Sequence, residues 1–147
     1  MEHPRLFEPG DPVVDRVRAI CASYPECVEV EAWGRPTWRA GKKIFTVMGS
    51  SMERPHTIVF KPDPEERPAL LQDDRFFVPP YFGPAGWLAM TLDDGVDWTL
   101  VAELVDASYR RVALKRQLAA LDARESAHPR TGIVAESIRE RSRDVRP

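Results

Sequence analysis

The chain has 147 residues, 43% hydrophobic and 30% charged, with a formal net charge of −2. That is the composition of one soluble domain, long enough to bury roughly two-thirds of its unfolded surface. It excludes a disordered chain, a disulfide scaffold and a membrane span of about 18 apolar residues.

The N-terminus, MEHPRLFEPGDP, has acids and prolines where a secretory leader needs a basic start and an apolar run, so a cytoplasmic protein is expected. Residues 1–10 are expected to form an arm. Asp11-Pro12 has the form of a helix start, with Asp as N-cap and Pro at the first helical position. Val13, Val14, Val17, Ile20, Cys21 and Tyr24 follow at helical spacing, until Pro25. Cys21 and Cys27 have no further ligand at metal-binding spacing, and both are expected to be reduced and structural.

CVEVEAW (27–33) alternates apolar and acidic residues, as an extended segment or first strand does. Thr37–Ala40, Lys43–Met48 and His56–Lys61 predict an antiparallel meander, with a turn at Gly41-Lys42 and a loop over Gly49–Pro55. A second helix is expected from Asp63 to Gln72. Asp63 would cap it, Pro64 would take the first position, Glu66 would complete a capping box, and Pro68 would keep it short. DDRFFVPPYFGPAGWLAM (73–90) then packs five aromatics, three prolines and two glycines into 18 residues. Short strands at Arg75–Val78 and Trp87–Leu92 are expected on either side of its turn. The longest helix is expected over Asp97–Leu121, with an apolar stripe through Trp98, Val101, Leu104, Val105, Tyr109 and Val112. Residues 122–147 complete the chain as a charged tail, with a short helix near Ile133–Ile138. Helices beside antiparallel strands predict a two-layer α+β domain over 11–121, with the helices on one sheet face and the other face partly free for solvent or a partner.

Catalytic signatures are missing: there is no phosphate-cradling GxxxxGK[ST], no GxGxxG and no GxSxG. His3, His56 and His128 are far apart, and the paired acids fall at helix ends and turns. The chain is therefore expected to be no enzyme and to need no cofactor or metal. Charge is more informative. Residues 1–109 hold 11 Lys and Arg against 18 Asp and Glu, whereas 110–147 hold 10 against 5. Within the acidic part lies a basic island: Arg35, Arg39, Lys42, Lys43, Arg54 and Lys61, with Glu53 alone opposing them. Arg35, Arg39, Lys42 and Lys43 could reach phosphates, and Trp38 could stack on a base. Large aromatics also fill cores, so Trp33 and Trp38 admit both readings. The Pro-Pro-Tyr-Phe-Gly-Pro turn is open in the same way, as a recognition edge, the floor of a small-ligand pocket, or a stiff cap on the core.

Several motifs fall in a familiar order: W-G-x-P-x-W at 33–38, G-K-K-x-F at 41–45, K-x-x-P-E-E at 61–66, P-x-Y-x-G-x-x-G-W at 79–87 and Ser108-Tyr109. Over Asp11–Leu121 the chain resembles the MmcQ/YjbR-like proteins. The resemblance implies the order α-β(3)-α-β(2)-α, similar to secretion-chaperone and CyaY-like folds. It also implies DNA binding through two β wings: the turn at Gly41-Lys42 or the loop Gly49–Pro55, and the turn Tyr81–Gly86. On that reading Arg35, Arg39, Lys42, Lys43 and Lys61 contact phosphate, while Trp38 and Tyr81 pack or stack. Binding would be weak and salt-sensitive, because few cations are available on an acidic domain. The alternative is a protein-interaction or chaperone-like adaptor, with a protein partner and no catalysis.

Overall fold

The computed structural model describes residues 7–127. Helix α1 (Pro12–Ala22) begins as its cap residues dictate: the Asp11 carboxylate accepts from the Val13 and Val14 amides, at 2.9 and 3.5 Å. Its buried stripe is Val14, Val17 and Cys21. Strands β1 (Cys27–Ala32), β2 (Arg35–Ala40), β3 (Lys43–Met48) and β4 (Thr57–Phe60) follow as an antiparallel meander. Trp33 and Gly34 join β1 to β2 with φ of 56° and 77°, as a two-residue hairpin turn with the sheet's own twist requires.

After a short helix α2 (Arg67–Leu71), β5 (Phe76–Phe77) and β6 (Leu88–Thr91) complete a six-stranded sheet of order β1-β2-β3-β4-β6-β5, antiparallel throughout. Helix α3 (Trp98–Val112) lies across it, capped by Asp97, and α4 (Lys115–Ala127) follows.

The α+β class and the antiparallel sheet are as expected, but three details differ. Four strands rather than three precede α2, because CVEVEA pairs along its whole length with β2. Helix α2 starts at Arg67, and Glu66 at its N-cap makes no side-chain cap bond. Pro68 is the reason: it has no N–H and its ring clashes with the carbonyl four residues back, so it fits only in a first turn. Asp63 instead closes a turn, accepting from the Glu65 amide at 2.9 Å.

The third difference is the long helix, which breaks at Ala113, where ψ is 150°. The Gln117 side chain accepts from the Leu114 amide at 2.7 Å, half of a capping box for the new helix. Arg110 then reaches Asp122 (3.0 Å) and Glu125 (2.8 Å), residues about 18 Å or more away along one straight helix. The break lets Leu121 enter the core. Helix α4 thus crosses the expected boundary at residue 121 and continues to Ala127. The helix expected near Ile133–Ile138 lies outside the described residues.

The main core lies between the sheet and the helices. Trp38, Phe45, Ile58, Phe60, Leu88 and Met90 meet α1, Leu100, Val101, Leu104, Val105 and Tyr109 of α3, and Leu121 of α4. A β-bulge shapes its centre. Trp38 pairs with Thr46 and Arg39 with Ile44, leaving Phe45 as an extra residue on β3. Phe45 swings into the core against Tyr24 and Tyr109, at centroid distances of 5.8 and 5.1 Å. Its carbonyl accepts from the Ser108 hydroxyl (2.5 Å), which in turn accepts from the Lys61 amide (2.8 Å). The opposite face carries a smaller cluster: Val47, Val59, Trp87 and Ala89, with Ile44, Phe77 and Phe82 packed against it.

Candidate nucleic-acid interface

Strand alternation sorts charge between the two faces. The six strands carry two carboxylates, Glu29 and Glu31, both on β1. Glu29 points toward the helices, where it accepts from Arg18 Nε (2.8 Å) and Trp38 Nε1 (3.0 Å). Glu31, two residues on, shares that side. Their neighbours Val28 and Val30 face the other way, opposite Arg39 and Thr37 of β2. Arg35, Thr37 and Arg39 therefore line the face turned away from the helices, and no strand position on that face bears an acid.

Thr37 and Arg39 are linked. The Thr37 hydroxyl donates to the Val30 carbonyl (2.6 Å) and accepts from Arg39 Nε (3.4 Å). Arg35 is half-buried. Its Nη1 donates to the Gly49 carbonyl at 2.6 Å, while its Nε is buried with no acceptor. Burial pushes its pKa down, an effect only partly offset by the Tyr81 phenol group; a guanidinium stays charged under such a shift. Arg54 lies over the Phe77 ring, 4.4 Å from its centroid. Among the described residues, none of Arg35, Arg39, Lys42, Lys43, Arg54 or Lys61 forms an ion pair, whereas Arg18, Arg75, Arg110 and Arg116 all do.

The aromatic turn crosses this face. It leaves β5, passes a 3₁₀ turn at Gly83–Ala85 and enters β6. Phe82 folds onto the sheet between Trp33 (6.1 Å, edge-on) and Trp87 (5.6 Å). The turn thereby spans from the β5–β6 side to the β1–β2 hairpin. Tyr81 is left 89% exposed with φ of 66°, a left-handed conformation uncommon outside glycine. Trp33 is 46% exposed.

The expected site residues therefore separate. Arg35, Arg39 and Tyr81 share the open face, and alternation from Val59 carries Lys61 to the same side. Lys42 stands at the tip of the β2–β3 turn. Lys43 pairs with Ala40, a core residue, and so lies on the helix side. Trp38 is fully buried, which removes it from any stacking role and leaves it a core residue bonded to Glu29. Of the two tryptophans for which the sequence admits both readings, Trp33 is the exposed one. The signal was its place beside Gly34: a hairpin apex is seldom buried.

Cys21 is buried, and burial raises its thiol well above its ordinary pKa; burial also raises half-exposed Cys27, to about 11. His56 pairs with Asp11 at 2.6 Å. A cleft of about 330 Å³ between α1 and β1 is lined by Asp11, Asp15, Arg18, Glu29 and Glu31, on the helix side. Among the described residues no group of three His, Cys, Asp or Glu is placed to hold a metal, and no helix is long and apolar enough to cross a membrane.

Comparison with known proteins agrees with this architecture. The crystal structure of Deinococcus radiodurans protein DR2400, with the family-model domain DUF419, matches at a TM-score of 0.60 and 22% identity, over 74% of this chain and 87% of that one. At that identity the likeness is one of fold. No curated protein matches the chain. A family model described as YjbR matches residues 22–111. With well over half its length matched by that model, the chain belongs to the YjbR family.

Proposed function

We propose that the protein is a non-enzymatic DNA-binding module that holds backbone phosphates on the open face of its sheet. One observation carries the reading: both strand carboxylates point to the helix side, while Arg35 and Arg39 on the open face have no acidic partner. Unpaired cations on an otherwise acidic domain are available to an external anion, and a local patch can bind phosphate regardless of net charge. Lys42 at the turn tip and Lys61 beside β4 extend the patch along the strands. With so few phosphate contacts, affinity is weak and falls steeply with salt.

A DNA titration at about 50 and 200 mM salt tests the proposal. The expected result is binding at the lower salt that weakens by tenfold or more at the higher. Absence of binding at about 50 mM, where charge contacts are strongest, would sink it. A second reading, as a protein-binding adaptor, is favoured by edge strand β1, which pairs on one side only and exposes Val28. Light scattering and pull-down address it; a monomer that captures nothing counts against it.

A further inference from the structure

Trp33, Arg35 and Tyr81 come from two separate hairpin-like turns, yet the fold brings them together. Phe82 is the link, because it packs edge-on against Trp33, two residues before Arg35, and is itself next to Tyr81. The result is two exposed aromatic rings beside a half-buried guanidinium that has no carboxylate and one unused buried N–H. Exposed aromatic rings of this size offer flat apolar faces on which a planar ligand can stack. Tyr81 has a left-handed backbone and its ring stands exposed, whereas Phe82 packs against Trp33 and Trp87.

We infer that this cluster is a stacking site for unpaired nucleobases, so that the open face prefers single-stranded nucleic acid to duplex. The inference rests on the phosphate-binding reading above and specifies its ligand. In a duplex the bases stack on one another and offer only their edges, so two exposed ring faces gain little. In a single strand each base has a free face, and stacking on an aromatic side chain is tolerant of sequence. The charge points the same way. Arg35, Arg39, Lys42 and Lys61 suffice for a few phosphates of one strand, whereas a duplex brings twice the charge per unit length toward an acidic domain. All the helices for which packing is defined lie behind the sheet, so none stands on this face to enter a major groove. In the bound form the bases sit on Trp33 and Tyr81, with Arg35 between them taking a phosphate oxygen.

The test is fluorescence anisotropy with a labelled oligothymidylate of about 12 nucleotides and a duplex of equal length, at about 50 mM salt. The single strand is expected to bind at least fivefold tighter. Tyr81→Ala and Trp33→Ala should each weaken it roughly tenfold while leaving duplex binding within twofold, and Tyr81→Phe should bind as the parent does. Tyr81 is almost wholly exposed, so its replacement keeps the test decisive even if Trp33→Ala fails to fold. Equal or tighter duplex binding, or alanine variants that hold the single strand like the parent, overturns the stacking site and leaves phosphate binding standing. Failure to bind either form overturns both.

Discussion

The two faces of one sheet are built by opposite rules. Toward the helices, apolar side chains meet in a single core, and ion pairs stand at its rim, Arg18 with Glu29 and Asp15 and Arg110 with Asp106, Asp122 and Glu125, while Lys43 there is unpaired among the described residues. Away from the helices, a cluster of four buried residues is roofed by one aromatic turn, and Arg35 and Arg39 beside it form no ion pair among the described residues. Packing satisfied on one side frees the other for a ligand. The helix side therefore carries stability, and the open side carries the binding proposed above.

Substitutions should separate these roles, most strongly in the main core. Phe45→Ala removes a ring that is fully buried among Tyr24 and Tyr109, and urea unfolding should show a loss of about 3–5 kcal/mol. Val59→Ala, in the smaller cluster, should cost about 1–3 kcal/mol. If Val59→Ala costs as much as Phe45→Ala, the open face is a second load-carrying core and the contrast fails.

Ser108→Ala should cost about 1–3 kcal/mol, because it strips partners from both the Phe45 carbonyl and the Lys61 amide. A loss under half that range would mean water replaces the hydroxyl at the bulge.

Asp11→Ala should cost about 1 kcal/mol by uncapping α1. The carboxylate also has a pH signature. Burial raises its pKa, but bonds from His56 and from the Val13 and Val14 amides outweigh that and leave it below its ordinary value. The unfolded chain therefore binds that proton more readily. The stabilisation is present above the ordinary carboxylate pKa and is lost as pH falls through the depressed one. Asp11→Asn keeps a cap, so it should flatten the acid limb of stability while changing neutral stability little. Unfolding midpoints at neutral and acidic pH would show it.

The smallest effect on stability is expected at Arg39, where Arg39→Ala should change unfolding by under about 0.5 kcal/mol, since among the described residues its side chain makes only a long bond to Thr37. The same substitution should weaken DNA binding several-fold.

Much of this division was legible in the sequence. The alternation Val28-Glu29-Val30-Glu31 puts both acids on one face of β1, and Arg35, Thr37 and Arg39 at every second residue share one face of β2, but only the hairpin register makes these opposite faces of the sheet. The break in the long helix was not legible, because Ala113-Leu114 contains neither Gly nor Pro. It is decided by Gln117, Arg110 and the burial of Leu121. The bulge at Phe45 was equally hidden, since the hydroxyl that satisfies it lies 63 residues away. Trp33 and Trp38 look alike in the sequence, and only the hairpin register puts one at the apex and the other in the core.

The central claim, that the open face and not the helix side meets the ligand, is tested most directly by matched charge reversals in one salt-controlled DNA titration. Arg39→Glu alters the open face, and Arg111→Glu alters an exposed position on α3 with the same change in net charge. Arg39→Glu should weaken binding by tenfold or more and lower the salt slope, while Arg111→Glu should stay within twofold of the parent. Equal losses from both reversals, or a larger loss from Arg111→Glu, would contradict it.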